Sequence, residues 1–273
     1  MKGLRPEDYL EPECIFCTPE DEKVKPVDLR RCLSRLDEHL ARNDYAAAER
    51  HLDYWKQEAL AGNDWRGLVT IENERMGLFR KVGRRESAME AVRSGCEALS
   101  RAGLDGTVTA ATTDLNIGTV YKSFGEPETA LPYYARARAV YERELEPGDP
   151  RLAGLYNNMA LVLTDLGRFE EARGLYTRAV DILEASGTGA LEIAISQLNL
   201  ADLAMAQRGI LDAEAEIEER LDRAEALLEE QTHPRDGYYA FVCEKCAPTF
   251  GYYGRFAYAE ELKERAERIY AGN

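Results

Sequence analysis

The sequence predicts an all-α chain built as an α-solenoid, a right-handed superhelix of about six helical hairpins. Two observations carry this. Glycines stand at Gly83, Gly125, Gly167 and Gly209, each 42 residues after the last. The segments on either side carry apolar residues at helical spacing, and Ala88, Ala130 and Ala172 follow the first three glycines by five residues. The repeated unit is therefore helix, tight turn, helix.

Residues 1–27 do not fit this unit. Four prolines, the acidic run Glu20-Asp21-Glu22 and the pair Cys14 and Cys17 make an irregular leader, which either packs on the solenoid or hangs free of it. The solenoid spans 28–273. In its first hairpin Asn43-Asp44 replace the glycine, and Ala48, Leu52 and Trp55 follow. A degenerate copy occupies 75–95. Two nearly complete copies come next, LNIGTVYKSFGEPETALPYYARA at 115–137 and NNMALVLTDLGRFEEARGLYTRA at 157–179. Between them Leu145-Glu146-Pro147-Gly148 ends one helix, and Asp149-Pro150 supplies an N-cap and a first-turn proline for the next. The copy ending NLADLAMAQRG at 199–209 needs one inserted residue to stay in register. The last, at 246–266, keeps Ala247, Phe250, Gly254, Ala259 and Ala266, while Pro248, Gly251 and Gly254 predict a broken or kinked helix there.

The two complete copies resemble the tetratricopeptide repeat. Its pattern puts a small residue where Gly118 and Ala160 stand, a bulky one at Tyr121 and Leu163, and the turn glycine at Gly125 and Gly167. Alanine follows at Ala130 and Ala172, an aromatic at Tyr134 and Tyr176, and alanine again at Ala137 and Ala179. Small residues let the helices of a hairpin approach, and large ones fill the space between layers. The ordinary repeat has about 34 residues, so eight more add about 12 Å of helix shared between the arms. Arms of this length look like those of the kinesin-light-chain branch. The resemblance implies a non-enzymatic adaptor that holds a protein or peptide in its concave groove, or a peptide-responsive regulator like the bacterial pheromone receptors, although no helix-turn-helix precedes the array.

Composition narrows the function classes. Fifty Asp and Glu against 35 Lys and Arg give a net charge of −15, which repels nucleic-acid backbones and anionic membranes. No apolar run approaches the roughly 18 residues that span a bilayer, and no secretory signal is visible, so the expected compartment is the cytoplasm. The only histidines are His39, His51 and His233. No Ser/His/Asp or Cys/His grouping supports a thiol- or metal-dependent enzyme. Monomer and homodimer both remain open.

Asparagine recurs two positions before the small residue of the first helix, at Asn116, Asn158 and Asn199, with spacings of 42 and 41. An amide both donates and accepts, so it can clamp the backbone of an extended peptide. In related repeats asparagines near this position contact bound peptides, which the resemblance carries to these three. The alternative is a bridge between adjacent helices. Lys122, with Arg75 and Lys245 near it, is all the basic charge expected on this face, which predicts an acidic groove taking a basic or apolar segment. The aromatic run from Tyr238 to Tyr258 either forms a binding surface or seals the last repeat. Cys14 and Cys17 with Cys243 and Cys246 could together supply four thiolates to a structural zinc ion, but the pairs are far apart in sequence, and Cys243 and Cys246 fall where the repeat places core residues.

Overall fold

The computed structural model describes residues 24–187, 189–230 and 232–272. Among them are twelve helices and no strand: α1 (Leu29–Ala41), α2 (Tyr45–Ala61), α3 (Trp65–Lys81), α4 (Arg85–Arg101), α5 (Val108–Ser123), α6 (Pro127–Glu144), α7 (Pro150–Asp165), α8 (Phe169–Ser186), α9 (Ala190–Arg208), α10 (Ile210–Leu228), α11 (Gly237–Tyr252) and α12 (Phe256–Tyr270). Each odd-numbered helix packs against the even one that follows, giving six hairpins, and α3, α5, α7, α9 and α11 also touch one another in succession. These odd helices form one continuous wall.

In the second, third, fourth and sixth hairpins the two helices start differently. Side chains of Asp28, Asp64, Thr107, Asp149 and Asp236 accept backbone N–H bonds at the starts of α1, α3, α5, α7 and α11. The even helices α4, α6, α8 and α12 lack such a cap and follow a left-handed glycine, at Gly83, Gly125, Gly167 and Gly254. Asn43 takes that conformation in the first hairpin with φ 54°, and asparagine tolerates it better than most residues. In the fifth hairpin the turn is shorter: α9 ends at Arg208 and α10 starts at Ile210, with only Gly209 between. Ala201 and Ala213, on either side of it, both stand 41 residues after their counterparts Ala160 and Ala172, so the lost residue lies before α9, where the connection from α8 has three residues against five between α6 and α7.

Close approach within a hairpin is visible at Gly118. A Cβ there would lie 2.9 Å from the ring of Tyr134, which is buried and shares a hydrogen bond of 3.0 Å between its hydroxyl and Thr119. Ala130, Ala137, Ala160, Ala172 and Ala179 are completely buried in the same cluster. Contrary to the sequence expectation, α11 is unbroken through Pro248. The carbonyl that the missing N–H leaves unpaired belongs to exposed Glu244, where water can reach it.

The Tyr270 phenol of α12 is pushed up to about 12, first by burial, then by Glu244 and by Tyr45 of α2. At the start of the described chain, the Lys25 N–H bonds the Gly62 carbonyl at 2.8 Å and the Val27 N–H bonds the Asp64 carboxylate at 2.9 Å. Residues 24–27 are thereby fastened to the loop between α2 and α3.

Ala172→Leu should cost about 1–3 kcal/mol by overpacking a filled crossing. Gly174→Ala, on the open face of the same helix with nothing near its Cβ, should instead stabilise by about 0.5–1 kcal/mol. Urea denaturation of both variants checks the register, which is wrong if the two changes shift stability in the same direction.

Candidate peptide-binding groove

The three predicted asparagines all lie half-buried on the wall of odd helices, but their amides do different things. The Asn116 amide donates to Asn73 Oδ1 of α3 at 3.0 Å, and Asn73 donates in turn to Thr113 Oγ1 of α5 at 3.0 Å. Asn116 thus bridges α3 and α5. Asn158 donates to the Gly154 carbonyl of its own helix at 2.9 Å, and its side-chain oxygen accepts no hydrogen bond among the described residues. Its neighbour Asn157 accepts from Ser196 Oγ of α9 at 3.0 Å and supplies the bridge to the next hairpin. Asn199 makes no hydrogen bond among the described residues. Lys122 reaches Asp165 of α7 at 3.7 Å.

The same nine-residue offset from the turn glycine that defines Asn116 and Asn158 also selects Glu74 in α3 and Lys245 in α11. Lys245 was legible from this offset as a charge near the face, and Glu74 was equally readable from it. Burial raises the Glu74 carboxyl above its ordinary range, and repulsion from Asp37 adds to this. Burial also lowers the Lys245 ammonium; the neighbouring Cys246 opposes that shift, while Arg80 and Lys122 reinforce it. Lys245 and Arg80 are exposed, yet the packing around them also lowers the Arg80 guanidinium below its ordinary range. The Asp202 carboxyl on α9 is raised by burial, against which Tyr253 donates a hydrogen bond at 2.9 Å.

Arg75 is not a groove residue. It is buried against Glu72 at 3.1 Å, is paired with Asp53 and stacks over Phe79 at 5.0 Å. Glu72 is itself fully buried, held also by Lys56 at 3.0 Å and Ser94 at 2.7 Å. Arg75 is spent on this internal network, because a buried carboxylate requires paired cations. The aromatic run divides: Tyr239 and Phe250 are core, whereas Tyr238, Phe241, Tyr252 and Phe256 are exposed, Tyr238 and Phe241 stacking on each other.

Cys243 and Cys246 lie in the hydrophobic core of the last two hairpins. Burial pushes both thiols up, Cys246 to about 12, which holds them protonated and inert. Cys14 and Cys17 lie outside the described residues. Among the described residues no group of three or more His, Cys, Asp or Glu is placed to hold a metal ion.

Residues 109–185 and 151–230 match the tetratricopeptide repeat model, and this stretch of the chain is built of tetratricopeptide repeats. Its fold is similar to that of BtubC (BKLC) from P. vanneervenii, with TM-score 0.54 and 21% identity over 85% of this chain and 91% of that one. It is also similar to kinesin-light-chain TPR-like repeats from Podosopora anserina, with TM-score 0.50 and 17% identity over 74% and 94%. A Rap protein complexed with Competence and Sporulation Factor matches at TM-score 0.50 and 15% identity over 86% and 72%. At these identities the likeness is one of fold. No curated protein matches the chain.

Two outcomes test the assignments. Asn116→Ala should lose about 1 kcal/mol of stability, since it strips Asn73 of a partner, while Asn199→Ala should stay within about 0.5 kcal/mol of the parent in urea melts. For Glu74, a folded pKa above the unfolded one favours folding at low pH, and that contribution is lost as pH rises through the raised value. Glu74→Gln should therefore be more stable than the parent at pH 7, with the gap closing below about pH 4. A gap that widens on acidification would reverse the sign assigned here.

Proposed function

We propose that the protein is a non-enzymatic adaptor whose concave wall holds an extended segment of a partner protein or peptide. The observation that carries this is the unspent amide capacity at Asn158 and Asn199, on neighbouring helices of a wall whose other amides are already used to join helices. Hydrogen-bonding groups kept free on a concave surface suit backbone recognition, which is indifferent to side chains. The acidic net charge speaks against nucleic acid as the partner. Free thiols at Cys32, Cys96, Cys243 and Cys246 fit a reducing compartment such as the cytoplasm. Among the described residues no helix is long and apolar enough to cross a membrane.

A second reading, a peptide-responsive regulator, is favoured by the fold likeness to the Rap protein, which was captured with Competence and Sporulation Factor. In that case a short peptide in the groove would alter the curvature and release a second partner. Both readings use the same wall and differ in whether peptide arrival displaces something else.

Peptides selected on the full chain from a random library should bind the double variant Asn158→Ala with Asn199→Ala at least tenfold more weakly, by fluorescence anisotropy, with unchanged helical circular dichroism. Two amide contacts at about 1 kcal/mol each exceed the 1.4 kcal/mol that makes a factor of ten. Unchanged affinity would overturn the groove assignment.

A further inference from the structure

Counted back from the left-handed turn residues Asn43 and Gly125, Arg31, Arg35 and Glu38 of α1 hold the register places of Thr113, Ile117 and Val120 in α5. In the third hairpin those three are buried. Thr113 accepts from Asn73 of the second hairpin, and Ile117 and Val120 pack with its Met76 and Phe79. These places make up the face by which a hairpin receives the one before it. No helix precedes α1 among the described residues, so in the first hairpin that face meets no neighbouring hairpin. Beside it stand His51, Tyr54 and Trp55 of α2, and the two helices enclose an open groove of about 620 Å³.

A solenoid end needs a polar outer face, and this one is only half polar. His39, His51, Trp55 and Tyr54 form a chain of edge-to-face rings with successive centroids 5.6, 6.2 and 5.5 Å apart. Tyr54 is 56% exposed, and Leu60 and Val24 at the same end of the array are exposed as well, whereas the second, third and fourth hairpins expose no large apolar side chain among the described residues. Arg31 makes no ion pair among the described residues, and Arg35 pairs with Glu38 of its own helix.

The protein's own leader lies within reach of this groove and matches its chemistry. Lys25 is held at Gly62, seven residues beyond Trp55 and so about 10 Å along the axis of α2. Phe16 stands nine residues before Lys25, a stretch that can span up to about 30 Å. The pair Ile15 and Phe16 is flanked by acids on both sides, Glu11 and Glu13 before it and Glu20, Asp21 and Glu22 after it. An apolar pair between acids fits an aromatic groove edged by two arginines.

We propose that Ile15 and Phe16 seat in the groove between α1 and α2, so that the leader takes the place a preceding hairpin would fill. Packing on Tyr54 and Trp55 supplies the apolar anchor, while the flanking acids meet Arg31 and Arg35 on the exposed rim, where ion pairs set orientation and add little affinity. Tethering keeps the segment at high effective concentration, so a small anchor suffices. Docking covers the exposed rings that would otherwise offer a surface to other chains. It is independent of what the concave wall holds.

The test uses the full-length chain with Phe16→p-benzoylphenylalanine. After irradiation, mass spectrometry should place the cross-links on peptides of α1 and α2, in a monomeric product whose yield does not fall on dilution. Adding Y54S with R31Q, both changes at exposed side chains, should remove most of that product. Cross-links elsewhere in the chain, none at all, or a yield unmoved by Y54S with R31Q overturns the proposal. A dimeric product also overturns it, by giving the groove to the leader of a second copy. A second measurement avoids the bulky probe: iodoacetamide should label Cys17 several-fold more slowly in the parent than in Y54S with R31Q, and equal rates overturn the proposal as well.

Discussion

How closely two helices of a hairpin can approach is the constraint on which the array depends. Where Gly118 faces Tyr134 there is no room for even a methyl group, and the alanines at 130, 137, 160, 172 and 179 keep the neighbouring crossings equally tight. Each hairpin buries little by itself, so its remaining apolar surface has to be covered by the next. Tight hairpins stack with a small, repeated rotation.

That geometry divides the polar side chains of the inner wall into those that join helices and those that face the groove. Between α3 and α5 the chain from Asn116 through Asn73 to Thr113 ties two hairpins together. Between α7 and α9, Asn157 and Ser196 do the joining, which releases Asn158 and Asn199. Further along, Gln197 accepts from Arg220 of α10 at 3.0 Å and so belongs to the structural set. One residue of register separates a joining amide from a free one.

Charge follows the same division. The outer, even-numbered helices carry most of the acid excess in exposed pairs and networks that are screened by salt and contribute modestly to stability. Inside, lower hydration makes each charge count for more: burial shifts Glu74, Lys245 and Asp202 toward their neutral forms. A net charge of −15 therefore describes the outer surface and says little about the bore.

The repeat, the number of hairpins, the turn glycines and the buried alanines were all legible in the sequence, because each depends on contacts between residues a few tens of positions apart that recur with a fixed period. Even the 41-residue spacing of Asn199 from Asn158 reflected the shortened connection between α8 and α9. Periodicity also placed Asn116, Asn158 and Asn199 on one wall, since a helix face is set by residue spacing alone. It did not say which amide would find a partner, because that depends on whether the neighbouring helix offers an Asn73 at hydrogen-bonding distance. Nor did it reveal that Arg75 turns inward to buried Glu72. Local sequence determines each hairpin, whereas which polar side chains meet across neighbouring hairpins follows from how the layers pack, and only the tertiary structure decides that.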